Sequence, residues 1–354
     1  MAKTMIGLDI GSTAVRIAEV TAGDRPSVIR LGQVPLPIGA VEAGDVRRPD
    51  QVATALERLL DVSGIQGREV YLGFADAKVV VRELSLPWLP EKELRAALGF
   101  QVQEYLPMAP EDAVLDFQML GERQQDGQRM QDILLVAAQR SAVNDHVDAV
   151  VEAGLEPIEV DLSPFAAVRA TASEETDEMQ ALVDIGGHVT FIALHRGESV
   201  RLVRVLAIAG RDVTHAIARS LSVDEGTAEL LKRGEADPRG MEGLDRSRAR
   251  QAALQAAQPL VEEIASTIEF SLRQTPDLSV NRIVVTGGGS HLDGIVDLLG
   301  ARLPLPVERA KVFGRARSRL VPELGAMVEA GRTFSVAIGL ALPGAPEARR
   351  GRAA

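Results

Sequence analysis

The chain has 354 residues and no cysteine. Disulfide bonds, thiolate metal sites and cysteine nucleophiles are therefore excluded. Aromatic residues are scarce at 3%, with one Trp and two Tyr, so the chain cannot build the stacked aromatic platform that single-stranded nucleic acids require. Acidic residues outnumber basic ones by 50 to 39, and the net charge of -11 disfavours binding to a phosphate backbone. We therefore expect no nucleic-acid partner.

Long apolar segments are also missing. No run of apolar residues reaches the length of about 18 that a membrane-spanning helix needs. Asp9 and Arg16 interrupt the N-terminal region in which a secretory signal would carry its apolar core. Residues 346–354 are mostly charged or small and are predicted to form a flexible tail. These features predict a cytoplasmic protein.

The composition is that of a globular protein, 46% hydrophobic and 25% charged, and strand patterns alternate with helix patterns. This alternation predicts an α/β fold. A stripe of apolar residues at helical spacing predicts a helix over 49–62. Polar stretches predict loops at 121–131, 173–178 and 234–248.

One strand-and-turn pattern occurs twice in the chain. Residues 7–17 and 182–191 each contain an apolar strand, then Asp-Ile-Gly, then a short turn and a second strand. An Asp-Gly pair can simply close a hairpin. Because the whole pattern is repeated, we favour the duplication of one ligand-binding unit.

The residues of these turns suit nucleotide phosphates. Glycines let the backbone approach an anion and point successive N–H groups at it. Hydroxyl donors are available from Ser12, Thr13 and Thr190. Asp9 and Asp184 would repel a phosphate directly, but they suit the site if Mg²⁺ and its waters lie between.

A third glycine-rich turn follows another apolar strand. Residues 283–290 read Ile-Val-Val-Thr-Gly-Gly-Gly-Ser and run into a predicted helix. Such a turn lets a flat ring lie against the backbone, although glycine-rich turns occur in many folds. The dinucleotide-binding and P-loop patterns are both absent from the sequence.

Two Asp-Ile-Gly turns followed by Gly-Gly-Gly-Ser, in this order, resemble the actin-like ATPases, a superfamily that includes actin, sugar kinases, 70-kilodalton heat-shock chaperones and FtsA. Within it, the chain most resembles the PilM family of type IV pilus assembly proteins. The segments that look like the small domain inserted in PilM proteins are 84–87, 104–107, 115–118 and 153–157. Two further segments, 209–214 and 225–232, resemble parts of actin and FtsA near the nucleotide.

The resemblance implies an actin-like (ribonuclease H-like), duplicated two-lobed fold with an inserted small α+β subdomain. The implied parts are a first lobe (1–80, 162–179 and 326–345), the insert (81–161), a second lobe (180–215 and 275–325), a helical nucleotide-capping subdomain (216–274) and the tail (346–354).

The resemblance also implies ATP and Mg²⁺ in the cleft between the lobes. Asp9 and Asp184 would take the catalytic positions and organise Mg²⁺ and its waters. The residues implied in phosphate or nucleoside contact are Gly11, Ser12, Thr13, Gly186, Gly187, Thr190, Glu229, Lys232, Gly287, Gly288, Gly289 and Ser290. The position at which actin and FtsA carry a Gln or Glu that orients the attacking water matches Ser163. Because serine is a weak base, we expect slow or absent hydrolysis.

PilM proteins bind the short cytoplasmic N-terminal tail of the membrane protein PilN in a groove beside the insert. The resemblance therefore implies an ATP-binding scaffold of the inner-membrane pilus platform, cytoplasmic and recruited to the membrane through its partner. Contacts with pilus motor ATPases and self-association are further implications. Two alternatives stay open, a polymerising FtsA-like cytoskeletal ATPase and a small-molecule kinase. The C-terminal residues do not resemble the amphipathic membrane helix of FtsA.

Overall fold

The computed structural model describes residues 3–23, 25–172, 178–235, 246–274, 279–313, 316–320 and 331–344. Within these ranges the strands are β1 Thr4–Ile10, β2 Ala14–Thr21, β3 Ser27–Pro35, β4 Val41–Glu42, β5 Asp45–Val46, β6 Glu69–Phe74, β7 Val80–Pro87, β8 Ala113–Gln125, β9 Gln128–Gln139, β10 Glu156–Leu162, β11 Met179–Ile185, β12 Thr190–Arg196, β13 Ser199–Leu206, β14 Arg282–Thr286, β15 Val307–Arg309 and β16 Arg317–Ser318. The α-helices are α1 Pro49–Ser63, α2 Glu91–Val102, α3 Arg140–Glu152, α4 Ser163–Thr171, α5 Gly210–Leu221, α6 Glu225–Arg233, α7 Arg246–Gln274, α8 Ile295–Arg302 and α9 Ser335–Ala341.

Two sheets repeat one topology. The first has the order β10-β6-β1-β2-β3-β16, and the second has the order β13-β12-β11-β14-β15. In each, a three-stranded antiparallel meander (β1 to β3, or β11 to β13) is extended from its first strand by parallel strands (β6 and β10, or β14 and β15). Helices connect the parallel strands, as parallel pairing requires. The repeat confirms the predicted α/β, duplicated two-lobed fold.

A third sheet, in the order β7-β9-β8, carries α2 and has its own small core around Leu94 and Phe117. This is the inserted α+β unit. Strand pairing places β10, which was predicted to belong to the insert, at the edge of the first sheet, and α3 packs against α1. Strand β16 pairs with β3 of the first sheet, although the sequence assigned residues 275–325 to the second lobe.

The hairpin predicted around 121–131 is confirmed, but its loop is much shorter than predicted. Strands β8 and β9 remain paired to their tips, down to Gln125 opposite Gln128, and a two-residue turn of Asp126 (φ 51°) and Gly127 (φ 78°) joins them. This is the positive-φ geometry of a tight hairpin turn. The tip is exposed on both faces, so polar side chains do not alternate with apolar ones and the period-two strand signal is lost.

Helices α4 and α9 cross at the centre of the molecule. A central apolar cluster contains residues of both helices together with strands of both lobes. The crossing is close, because a Cβ atom placed on Gly339 would lie 1.7 Å from the carbonyl oxygen of Ala166. Arg169 on α4 donates to Gly339 O (3.0 Å), which joins the two helices, and to Asp161 Oδ2 (2.6 Å), which joins α4 to β10 by a buried ion pair.

Several predictions fall outside the described residues. They are most of the loop at 173–178, residues 236–245 of the loop at 234–248, the start of the segment 326–345, and the tail at 346–354. Among the helices that the structure describes, none combines the length and apolar character needed to cross a lipid bilayer.

Candidate functional site

A cleft of about 830 Å³ opens between the two lobes, and the turns of both repeated hairpins line it. The two turns close in the same way, with Gly11 N–H donating to Ala14 O (3.1 Å) and Gly186 N–H donating to Val189 O (3.0 Å). They also face each other closely. A Cβ atom on Gly187 would lie 2.5 Å from Ser12 Oγ and 2.7 Å from Thr13 Cγ2. The duplicated turns therefore lie on opposite sides of one site.

Two carboxylates lie at the bases of these turns. Asp9 is the second-to-last residue of β1, and Asp184 is the second-to-last residue of β11. Both residues line the cleft. Burial raises the pKa of Asp9, although Arg16 opposes the shift. Burial, followed by the negative charge of Asp9, raises the pKa of Asp184 to about 7. Like charges held together in a poorly solvated place attract a cation.

Arg16 lies on β2 directly opposite Asp9. Its Nη1 atom is 3.5 Å from Asp9 Oδ2, and its Nε donates to Gln33 Oε1 (2.8 Å). The guanidinium lines the cleft beside the first turn. It is therefore a fixed positive charge next to the backbone groups predicted to receive phosphate.

The opposite wall of the cleft is formed by α5 and α6. Lys232 Nζ is buried and donates to Gly210 O (3.1 Å), Thr214 Oγ1 (2.9 Å) and Glu229 Oε2. All three of its protons are used, so Lys232 ties α6 to α5. Burial lowers the pKa of Lys232, and the charge of Glu229 opposes that shift.

Glu229 is the carboxylate that this network presents to the cleft. Its Oε2 also accepts from Thr214 Oγ1 (2.8 Å), and its Oε1 accepts from Arg233 Nε (3.0 Å). Burial alone would raise its pKa, but the charge and hydrogen bond of Lys232 bring the pKa below its ordinary value. Glu229 is therefore held ionised, so both of its oxygens accept hydrogen bonds and neither donates.

Of the fourteen predicted site residues, the structure brings twelve together in the lining of the cleft and leaves two out of it. The twelve are Asp9, Gly11, Ser12, Thr13, Asp184, Gly186, Gly187, Glu229, Lys232, Gly287, Gly288 and Gly289. Thr190 and Ser290 are fully buried. The hydroxyl of Thr190 donates to Ile208 O (2.8 Å), and that of Ser290 donates to Gly287 O (2.7 Å). Ser163 lines the cleft at the start of α4, as predicted.

Three arginines line the cleft, which are Arg16, Arg211 and Arg233. Sequence reasoning gave no role to Arg16 and Arg233, and for Arg211 it weighed a phosphate contact but favoured surface or structural pairing. Arg211 pairs with Glu225 (Nη2–Oε2 3.3 Å), in line with the structural pairing that an arginine near a carboxylate usually has. For Arg16 a signal existed, since the short turn after Asp9 fixes the hairpin register and places Arg16 across from it.

The carboxylates of Asp9 and Asp184 can bind a hard divalent cation, but they cannot supply its whole coordination shell. In the described part of the chain, no group of three or more His, Cys, Asp and Glu side chains is arranged to hold a metal ion. Mg²⁺ characteristically takes one or two carboxylates and completes its shell with waters and substrate phosphates. Asp9 and Asp184 fit that requirement.

A second cavity, of about 860 Å³, lies between the insert on one side and β10, α4 and β13 on the other, and we call it the groove. Consecutive residues 116–122 of β8 line it, so the strand presents its edge and not one face. Residues 160–162 of β10 line it as well, and β8 and β10 are end strands of their sheets. The groove therefore runs between two strand edges, which carry backbone groups available for pairing.

Apolar and charged side chains alternate around the groove. Met119, 38% exposed, and Phe165 contribute apolar surface. Arg95 pairs with Asp116 (2.9 Å) on its rim. Such a surface suits an extended peptide, because main-chain pairing supplies affinity and side-chain pockets supply specificity.

Comparison with known proteins agrees with this architecture. A family model described as type IV pilus assembly protein PilM matches residues 7–345. A chain of a solved PilM-PilN type IV pilus biogenesis complex is 30% identical and superposes with a TM-score of 0.83, covering 97% of this chain and 99% of that one. These matches confirm the resemblance found in the sequence.

More distant relatives share the fold. Cell division protein FtsA of Pseudomonas aeruginosa is 27% identical over 345 residues, which are 86% of this chain and 82% of FtsA. MreB5 of Spiroplasma citri, solved with bound AMPPNP, is 14% identical with a TM-score of 0.55, covering 96% of this chain and 95% of that one.

Proposed function

The chain belongs to the PilM family of type IV pilus assembly proteins, and we propose that it is an ATP-binding scaffold of the inner-membrane pilus platform. It binds Mg²⁺-ATP in the cleft and the cytoplasmic N-terminal tail of a PilN-like membrane protein in the groove. The observation that carries the nucleotide half is the approach of the two hairpin turns, with Gly187 against Ser12 and Thr13. Two opposed turns at that spacing, each with backbone N–H groups, suit a polyphosphate.

Each part of the cleft has a role in this proposal. The N–H groups of Gly11 and Gly186 close the two turns, so the phosphates are received by the turn residues that follow them, Ser12, Thr13 and Gly187, and by the charge of Arg16. Asp9 and Asp184 hold Mg²⁺ through its waters, and the ion neutralises phosphate charge when it is bound. Glu229, kept ionised by Lys232, accepts the ribose hydroxyls, and the glycine turn at 287–289 borders the base.

ATP is a structural or switching ligand in this proposal. Ser163 occupies the cleft at the start of α4, where a carboxylate or amide side chain would orient an attacking water. A serine hydroxyl binds water but is too weak a base to activate it. Hydrolysis is therefore slow or absent.

The nucleotide half is tested by calorimetry of ATP binding with Mg²⁺, with phosphate release followed in the same samples. Asp9→Asn keeps the shape and removes the charge, so we expect its affinity to fall at least about tenfold. Glu19→Gln is the matched control, because Glu19 is an equally buried carboxylate on β2 that pairs with Arg30 (2.6 Å) outside the cleft. Absence of binding by the wild type would overturn the nucleotide assignment, and brisk phosphate release would overturn the argument from Ser163.

The peptide half is supported by the groove between the edges of β8 and β10. An extended tail can pair with a free strand edge over several residues. The tail of a membrane-anchored partner is short, and a groove at the surface of the insert is open to it. Binding there would recruit this protein, which we propose is cytoplasmic, to the inner face of the membrane.

A synthetic peptide of the partner's N-terminal tail tests the groove. Phe165→Ala and Met119→Ala remove apolar lining from it, and we expect each to weaken peptide binding by about tenfold. Phe100→Ala is the matched control, because Phe100 is 83% exposed on α2 and does not line the groove. Unchanged affinity in both groove variants would place the tail elsewhere. Contacts with motor ATPases and self-association stay predictions.

A further inference from the structure

Ser335 is the first residue of α9, and it is 1% exposed. Its hydroxyl donates to Asp184 Oδ2 (3.2 Å). Helix α9 packs against α4, β1 and β2, so Ser335 moves with the first lobe. Asp184 belongs to β11 of the second lobe. The hydrogen bond therefore crosses from one lobe to the other at the carboxylate pair.

The carboxylate of Asp184 is constrained from two sides. Ser335 holds Oδ2, while Oδ1 lies against the backbone of Gly287, where an added Cβ atom would be only 2.4 Å away. Positive φ at Gly287 (81°) lets the chain pass this closely. The orientation of the carboxylate is thus set by one hydroxyl and one glycine, and both come from segments beside the cleft.

The other contacts between the segment before α9 and the end of β14 do not depend on Ser335. The carbonyl oxygen of Arg332 accepts from Gly287 N–H (3.1 Å) and from Thr286 Oγ1 (3.1 Å), and His291 Nε2 is 3.2 Å from Thr333 Oγ1. These contacts join the segment before α9 to the end of β14. Loss of the Ser335 hydroxyl alone should therefore leave the lobes joined and change only the hydrogen bonding of the Asp184 carboxylate.

We propose that Ser335 is a positioning residue for the cation site, which fixes the orientation of Asp184 and links occupancy of that site to the approach of the two lobes. The inference rests on the proposed Mg²⁺-ATP function. Groups that orient a metal-binding carboxylate change metal affinity without touching the metal. Ser335 does so from the opposite lobe, so the ion is held well only when the lobes are close.

The test measures the Mg²⁺ concentration that half-saturates ATP binding, by calorimetry, alongside ATP affinity in EDTA and the melting temperature of the free protein. Ser335→Ala and Ser335→Cys remove the strong donor, and Ser335→Thr keeps it. We expect the alanine and cysteine variants to need about tenfold more Mg²⁺. ATP affinity in EDTA should be unchanged, and threonine should restore the wild-type requirement. Ser271→Ala is the control, because Ser271 is equally buried on α7 and does not line the cleft.

Three results would overturn the inference. An unchanged Mg²⁺ requirement in both donor-free variants would show that Ser335 does not orient Asp184. An equal loss of ATP affinity with and without Mg²⁺ would assign Ser335 a purely structural role. If the wild type binds no ATP at all, the proposed nucleotide function fails and the inference fails with it, which is distinct from the first two results.

Discussion

Gly187→Ala tests the claim that the two hairpin turns clasp one ligand. The new Cβ atom would lie 2.5 Å from Ser12 Oγ and 2.7 Å from Thr13 Cγ2, whereas ordinary contacts begin at 3.4 Å. Ser12 can rotate its hydroxyl away, but the β-branched side chain of Thr13 is restricted at χ1. The two turns must therefore separate by about 0.7 Å, which is well below the size of a methyl group.

A separation of this size should matter far more for the ligand than for the fold. Overpacking costs about 1–3 kcal/mol, and the lower entropy of the unfolded Ala chain returns about 0.4–1 kcal/mol, so the free protein should stay folded. A misplacement of about 1 Å at a site that holds a ligand from both sides can cost about a hundredfold. We therefore expect the ATP affinity of Gly187→Ala to fall by about 10- to 100-fold, or about 1.4–2.7 kcal/mol.

Calorimetry with ATP and Mg²⁺ and melting curves with and without ATP would measure both effects. Gly121→Ala is the control, because Gly121 lies on β8 in the insert and a Cβ atom added there would meet nothing within 4 Å. The reasoning is refuted if Gly187→Ala melts like the wild type and binds ATP with wild-type affinity. In that case the turns would be neighbours that do not share a phosphate chain.

Three further predictions concern pH, the helix crossing and hydrolysis. Burial and the neighbouring Asp45 raise the pKa of Asp76 to about 6, so the folded protein binds that proton more tightly than the unfolded chain, and stability falls as pH rises from roughly 4 to 6. Asp76→Asn should therefore stabilise the protein by up to about 3 kcal/mol at pH 8 and by less than about 1 kcal/mol at pH 4, in melting curves at both pH values; equal effects would contradict this. Gly339→Ala should lower the free energy of unfolding by more than about 3 kcal/mol in urea titrations, because its Cβ atom would sit 1.7 Å from Ala166 O, and a loss within 1 kcal/mol would refute the crossing geometry. Ser163→Gln should raise ATP hydrolysis at least about tenfold in a phosphate-release assay, and an unchanged rate would show that this position does not orient water.

The duplicated turns could be predicted from sequence because their chemistry is local. An apolar strand followed by Asp-Ile-Gly determines a hairpin, its register and the placement of Asp9 and Asp184 at its base. Seven of the twelve predicted residues that line the cleft belong to these two turns, and they line it for this reason. Thr190 was included for its hydroxyl, but residue type alone does not show direction. On β12 its side chain turns into the protein and donates to Ile208 O.

The groove and the insert's hairpin tip had no usable local signal. Residues that line the groove come from the first lobe, the insert and β13, and no spacing in the sequence marks them as neighbours. The β8–β9 tip reads as a loop because both of its faces meet solvent. Alternation of apolar and polar residues reports burial of one face, so a strand that buries neither face is invisible to it.

Contacts between segments far apart in the sequence are the part of the site that local pattern can least reveal. Ser335 reaches Asp184 across 151 residues of sequence, and Arg169 reaches Gly339 across 170. The second contact exists because α4 and α9 approach closely, and that approach requires the absence of a side chain at Gly339. Glycine has a low intrinsic preference for a helix interior, so helix propensity counts Gly339 against α9, the helix that also carries Ser335 to Asp184. The geometry of the cleft thus follows from a packing requirement that becomes visible only when the two helices are seen in contact.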